Sequence, residues 1–567
     1  MFVIFSLAFL GMASRLFVLQ IVDGPRYSRL AVAQRDSVIT FPARRGAILD
    51  REGEPLAISI DLHTVWADPE HVEDPRAEAE NLAPVLGLDP VEVEQKLSCD
   101  CRFQYIARQV GAKLAQKVTD LDLPGIYMEA EPKRYYPGRR LASHLLGFVN
   151  IDGQGLEGVE AQYDDILTGT PGSMTLEQDP VGRSLPQAEF EYKRPEPGRS
   201  LLLTIDKELQ YFTQATLEAA TQRYSAEAGT AIVMKPQTGE ILALANTPDF
   251  DPNKAGGFSD EERRNRAVTD VYEPGSAYKV VTVAGAIEEG VVTPKTTFTV
   301  ADSFAYSDRV FNDSHPHPTE KMTVKEIIEQ SSNVGTIHIG LRLGGKKIDE
   351  YVRRFGFASK TGLDFPGESP GIVLDRKDWS GPTIATIPIG QGIAVTPIQM
   401  AAAYSTIANG GKWVEPKLLA ATMNEEGKAE ASSPPAKRRV ISRSTARSMA
   451  DILTGVTEKG TGIEAQIPGY AVAGKTGTAQ KPLPTGGYGN AYTGSFAGFA
   501  PANRPALVVI VILDEPSPIW GGSTAAPTFK TIMEFALRHL GISPTGNAEK
   551  AAREIEAEQA GSEATYD

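Results

Sequence analysis

Cysteine is nearly absent from this sequence: the chain carries two, Cys99 and Cys101, with one residue between them. Thiols this close supply neither a disulfide framework nor the ligand set of a structural zinc site. Bridging such near neighbours would be strained, so they are read as free or partner-facing thiols. Long Lys/Arg runs are missing too, and the net charge is −15, which argues against a sequence-independent grip on nucleic acid. Histidine is scarce. His315 and His317, in SHPHP, lack further ligands at helical spacing and read as a loop, so no metal or cofactor is expected. The apolar and charged fractions, 41% and 23%, sit near globular averages and exclude a disordered or collagen-like chain. At 567 residues the chain exceeds one ordinary core, which implies two or more domains.

The first 22 residues, MFVIFSLAFLGMASRLFVLQIV, are apolar apart from Ser6, Ser14, Arg15 and Gln20. Roughly 20 such residues cross a bilayer at about 1.5 Å rise each. Arg15 lies toward the far end, where its long side chain can snorkel. A cleaved signal peptide needs small residues just after the apolar run, whereas DGPRYSRL follows, and the nearest A-x-A, Ala31-Val32-Ala33, lies too far on. The expectation is an uncleaved anchor over 1–22. No basic residue precedes it, so the positive-inside rule does not orient it; either a start codon assigned too late or a missing short cytoplasmic tail would account for that.

Residues 23–195 form a first region without a repeat, and KRPEPGRS (193–200) has linker composition. Beyond it, Leu201–Ile205 reads as a strand or lead-in, and Asp206 caps a helix with apolar positions at Leu209, Phe212, Leu217 and Ala220. GTAIVMKP and GEILALAN (229–246), parted by Gln237-Thr238-Gly239, predict a hairpin. GSFAGFAP and ALVVIVILDEP (494–516) predict adjacent strands, with a closing helix over 523–540. Strands at both ends of a helical middle imply one sheet assembled from distant pieces and covered by helices. GKAEASSPPAK (427–437) reads as an exposed loop, and 545–567 as a disordered acidic tail.

Three short motifs follow in order: Ser276-Ala277-Tyr278-Lys279, Ser331-Ser332-Asn333 and Lys475-Thr476-Gly477-Thr478. Taken singly each has an ordinary explanation: an N-cap serine, a loop pair, an exposed strand lysine. Order and context change that. Ser276 follows Glu273-Pro274-Gly275 and opens an apolar helix ended by Gly290, so it sits at the positive end of a helix dipole. Lys279 returns to the same helix face. A serine hydroxyl needs a neighbour to take its proton, and lysine does so only when burial or a second cation lowers its pKa from about 10.4. Lys475 is the candidate for that cation. Thr323-Val324-Lys325-Glu326 is a capping-box signature opening a short helix through Glu329. Ser331 and Asn333, two apart in an extended or turning backbone, face one side, where a hydroxyl can pass a proton and an amide can hold a peptide oxygen. AVAGKTGTAQ (471–480) predicts a strand on which Gly477 permits close backbone approach. Lys475 would attract a terminal carboxylate, and the N–H groups of Ser276 and Thr478 would form an oxyanion hole.

This set is identified as that of the penicillin-binding proteins and serine β-lactamases. RRGAILDREGEPLA (44–57), RYYPGRRLASHLLGFV (134–149) and GLEGVEAQYDDILTG (155–169), with Glu160, resemble signatures of the class B penicillin-binding proteins' pedestal domain. GQGIAVTPIQMAAAYSTIANGG (390–411) and GGSTAAPTFKTIM (521–533) resemble segments of their transpeptidase domain. The likeness runs from about residue 15 to 542 and is nearest the division-type branch, with the elongation-type branch also similar. It implies an α+β fold: a transpeptidase domain over 196–544 with a central antiparallel sheet covered by helices, an elongated pedestal for dimerisation or interaction over 23–195, and a transmembrane helix. It implies that Ser276 is acylated by the penultimate D-alanine of a peptidoglycan stem and by β-lactams, with Lys279 as general base. Ser331 and Asn333 would relay protons and position substrate, while Lys475, Thr476, Gly477 and Thr478 would bind it. The implied setting is the cytoplasmic membrane with the catalytic domain outside it, beside a polytopic (FtsW-like) glycan polymerase and other divisome membrane proteins. No PASTA-like repeat follows Leu540, and nothing before residue 195 resembles a glycosyltransferase. A β-lactamase is the first rival, but its Glu-x-x-x-Asn pattern, sought at Glu368, fails at Ile372. A non-enzymatic antibiotic sensor is the second.

Overall fold

A computed structural model describes residues 1–24, 26–27, 36–101, 103–177, 191–483 and 485–545. The expected tail beyond 545 and the Ala31–Ala33 triplet lie outside them. The apolar start is helical over Phe2–Val22, 21 residues with no buried surface, long and apolar enough to cross a membrane.

Two compact units emerge. The first comprises Met1–Gly46, Ser59–Arg134 and Asp165–Arg199. Within it Asp36–Phe41, Gly172–Glu177 and Glu191–Lys193 form an antiparallel sheet. Helices Pro75–Leu86 and Pro90–Leu97 each start on an aspartate cap followed by proline, Asp74 and Asp89. They close a core of Val65, Leu82, Val93, Leu97 and Ile106. The cysteines depart from expectation here. The chain bends after the Pro90–Leu97 helix and brings the Cα atoms of Cys99 and Cys101 to 5.4 Å, and the two are disulfide-bonded rather than free. That separation falls inside the range a bridge spans, because the bend supplies the approach that a straight segment would deny.

The second unit comprises Ala47–Ile58, Tyr135–Asp164 and the chain from Ser200 onward. Its sheet is built from β1 (Ala228–Met234), β2 (Ile241–Thr247), β3 (Ala473–Pro482), β4 (Tyr488–Ala500) and β5 (Leu507–Asp514). The order is β2-β1-β5-β4-β3, antiparallel throughout. The β1–β2 hairpin turns at Gly239, whose φ of +77° suits glycine. Strands buried on both faces read as unbroken apolar runs, as LVVIVILD does here. Val509, Val511 and Leu513 face helix α1 (Lys207–Arg223) and the closing helix (Ala525–His539). The opposite face carries Pro397–Ala408, a helix buried at every position. Asp206 caps α1 through the Leu209 N–H, as its sequence predicts.

Two expectations are refined. Ser200–Leu203 is a strand but does not enter the central sheet; it pairs with Leu419–Met423 and with Ile48–Leu49. The exposed 427–437 segment contains one short strand piece, Ala429–Ala431, and ends at the start of another, Lys437–Arg439. In both cases partner choice depends on distant chain, which local pattern does not encode.

Candidate active site

Gly275–Tyr278 forms a tight turn that continues into α2 (Lys279–Glu288). Six of the eight residues of VVTVAGAI are valine, alanine or isoleucine, so this helix has no polar face and is buried almost throughout. The turn is held from two sides. Gly275 N–H donates to the Gly390 carbonyl at 3.0 Å, and a Cβ on Gly390 would lie 2.2 Å from the Gly275 carbonyl oxygen. Tyr404 donates its hydroxyl to the Ala277 carbonyl at 2.9 Å. Ser276 is half-buried between buried Gly275 and Ala277.

The second motif lies between two helices. Val324–Glu329 begins with the Thr323/Glu326 capping box read from sequence. After it Ser331 takes the left-handed conformation, φ +60°, a strained state for a non-glycine residue. Ser332 then caps α3 (Asn333–Leu343) through the Gly335 N–H. The reversal exposes the Ser331 carbonyl to the Lys279 ammonium, which donates to it at 2.6 Å and to Ser331 Oγ at 3.4 Å. Asn333 is the first helical residue, and its amide donates to the Asn312 carbonyl at 2.8 Å.

The third motif occupies β3, the outer strand of the sheet. Lys475 Nζ donates to Ser331 Oγ at 2.9 Å. A Cβ on Gly477 would stand 2.3 Å from Ser495 Oγ and 3.1 Å from the Pro274 carbonyl, so glycine is what lets this strand lie against the serine turn. The hydroxyls of Thr476 and Thr461 are 2.7 Å apart, and Gly521 N–H donates to Thr478 Oγ1 at 3.1 Å.

Residues as far apart as Lys279 and Lys475 therefore meet at one hydroxyl. Ser331 Oγ receives both Lys279 and Lys475, each fully buried. Burial lowers the Lys279 pKa to about 7, against a smaller upward pull from Asp313. Burial and the neighbouring Lys279 charge push Lys475 well below its ordinary value. A buried amine near neutrality accepts a proton at physiological pH. Among the described residues the Ser276 hydroxyl has no hydrogen-bond partner, so Lys279 is turned toward Ser331 in this resting arrangement.

Several supporting residues escaped motif reading. Asp313 accepts from Ser332 Oγ, from Val334 N–H and from Asn333 N–H. Glu273 accepts from Gly392 N–H and Tyr488, each at 2.9 Å. Gly390 and Tyr404 lie in the quoted GQGIAVTPIQMAAAYSTIANGG segment, whose glycines were the available signal; Asp313 carried none. Glu368 is committed elsewhere, accepting from the backbone and hydroxyl of Thr361.

Comparison with known proteins gives the site its family. Residues 229–534 match the penicillin binding protein transpeptidase domain, and 40–203 the penicillin-binding protein dimerisation domain. The chain is 36% identical to stage V sporulation protein D of Bacillus subtilis, over 95% of this chain and 85% of that protein. It is 35% identical to the peptidoglycan D,D-transpeptidase FtsI of Escherichia coli, over 88% and 84%. The crystal structure of Mycobacterium penicillin binding protein 3 complexed with aztreonam superposes with a TM-score of 0.72 at 30% identity, covering 90% of this chain and 98% of that one. With the Ser276 turn, the double-lysine hydroxyl and the outer strand in place, the chain belongs to the class B penicillin-binding proteins.

Proposed function

We propose that this protein cross-links peptidoglycan stem peptides as a D,D-transpeptidase of septal wall synthesis and is a β-lactam target. The observation that carries the reading is the convergence of Lys279 and Lys475 on Ser331 Oγ beside the Ser276 turn. Lys279 removes the Ser276 proton as Oγ bonds to the carbonyl carbon of the penultimate D-alanine. The negative oxygen that develops is met by the N–H groups of Ser276 and Thr478. The C–N bond to the terminal D-alanine breaks, and the proton passes through Ser331 to the departing amine. An amine of a neighbouring stem then attacks the ester, the cross-link forms, and Ser276 recovers its proton. Asn333 positions the peptide oxygen. Lys475, Thr476, Gly477 and Thr478 bind the donor, with the ammonium set for its terminal carboxylate.

The N-terminal helix serves as a single-pass anchor in the cytoplasmic membrane over 1–22, with the remainder extracytoplasmic. Residues 23–195 act as the interaction pedestal and 196–544 as the catalytic domain. Partners are an FtsW-like glycan polymerase and other divisome membrane proteins. The FtsI relative supports a division role. Labelling with fluorescent penicillin tests the chemistry: the wild-type chain takes the label at Ser276, and Ser276→Ala takes none. Label on another residue, or none on the wild type, overturns the reading. Depletion followed by microscopy tests the role, since filaments accompany a division defect and rounded cells an elongation defect.

A further inference from the structure

The loop that precedes the second motif contains a charge pair that the three motifs do not include. His317 Nε2 lies 3.0 Å from Asp313 Oδ2, and Nδ1 lies 2.8 Å from the Pro318 carbonyl, with Glu320 Oε1 3.5 Å from the same Nδ1. A carbonyl and a carboxylate only accept, so both contacts are hydrogen bonds only in the imidazolium, and the Asp313 carboxylate, first, with the Pro318 carbonyl holds the His317 pKa above its ordinary value. Both Asp313 oxygens are engaged by donors. Its side chain is 6% exposed, and its two oxygens accept from Ser332 Oγ at 2.6 Å, from Val334 N–H at 2.9 Å, from Asn333 N–H and from His317. Two of those donors are unpaired N–H groups at the start of α3, where a carboxylate is favoured. Asp313 thus ties down the residues immediately after Ser331, whose strained backbone presents its carbonyl and hydroxyl to Lys279.

We propose that Asp313 is a positioning residue for the Ser331-Ser332-Asn333 turn, and that the His317 imidazolium balances its charge so that Lys279 works as a base near neutral pH. The inference rests on the reading of Ser276 and Lys279 given above. The charged groups involved are few: Asp313 acts on Lys279, Lys279 acts on Lys475, and Asp313 and Glu320 act on His317. An uncompensated Asp313 carboxylate favours the Lys279 ammonium, so loss of the imidazolium makes Lys279 harder to deprotonate. Loss of the carboxylate makes it easier. The two neutralising substitutions therefore act in opposite directions on one titration, which a loss of packing does not do.

The test is the second-order rate of acylation by fluorescent penicillin, measured on the full chain in detergent from pH 5 to 9. In His317→Gln, which keeps a donor toward Asp313 without the charge, the rising limb moves up by about half a pH unit, making the variant about threefold slower at pH 6. In Asp313→Asn the limb moves down by a similar amount while the plateau falls, because the amide opposes one of the donors it must accept. Limbs that coincide with wild type, or that move in the same direction, overturn the proposal. If Asp313→Asn shows no cooperative thermal melt, His317→Gln alone decides, and an unmoved limb overturns it. An unlabelled wild type refutes the Ser276 reading instead, so the two failures are distinct.

Discussion

If Lys279 is the base for Ser276, its protonation should set the activity near neutral pH, at a cost to stability. With a pKa of about 7, half of this lysine is neutral at pH 7 and about 1% at pH 5, against roughly 0.04% at pH 7 for an unperturbed lysine. Acylation of Ser276 should therefore climb about tenfold per pH unit below 6 and level off above 8. Stability follows the same group. Between the folded value near 7 and the unfolded value near 10.4 the unfolded chain binds the extra proton, so stability increases as pH rises through that window and the penalty is fully present below it. At pH 7 holding the buried amine disfavours folding by about 4 kcal/mol. The hydrogen bond from Lys279 to the Ser331 carbonyl is already part of that net figure, since a pKa shift reports the difference between the charged and neutral amine. Lys279→Met, of similar length and without the charge, should then abolish acylation while leaving thermal stability at pH 7 equal to wild type or higher by about 1–3 kcal/mol. Stopped-flow acylation from pH 5 to 9 and calorimetric melts of both proteins measure the two halves. A pH-independent rate, an inflection near 10, or a methionine variant destabilised by several kcal/mol would refute the reasoning.

Gly390→Ala places a Cβ 2.2 Å from the Gly275 carbonyl at a φ of +76°; it should destabilise the catalytic unit by several kcal/mol, seen as a lowered melting temperature. Tyr404→Phe removes the donor to the Ala277 carbonyl, leaving a buried acceptor unpaired at about 1–3 kcal/mol, and should slow acylation more than it weakens initial penicillin binding. Gly477→Ala adds a Cβ 3.1 Å from the Pro274 carbonyl and 2.3 Å from Ser495 Oγ; the hydroxyl can rotate but the backbone must shift, so the acylation rate should fall on the order of a hundredfold with a near-native melt.

Much of the catalytic unit was legible because its signals are local. Asp206 caps its helix with its own carboxylate, Thr323 and Glu326 satisfy each other's N–H groups three residues apart, and Gly239 turns a hairpin between two apolar runs. Each depends on residues within a few positions, where backbone geometry leaves few alternatives. Partner choice was less legible. Ser200–Leu203 looked like a strand and is one, but its neighbours are Leu419–Met423 and Ile48–Leu49, hundreds of residues away in one case. The cysteines show the same limit at short range, since a bend after Leu97 decides that Cys99 and Cys101 meet.

The sequence by itself determined which groups are available for chemistry: a serine at a helix start, lysines at 279 and 475, hydroxyls at 331 and 332, and an apolar N-terminal helix. Only the tertiary structure decided what state those groups are in. Lys279 and Lys475 become weak bases through burial beneath a sheet and helices drawn from separate stretches of chain. Ser331 is held at a positive φ beside an N-cap that Asp313 completes from a preceding loop. Desolvation and charge proximity act through space, so a pKa or a strained turn has no address in the linear order of residues.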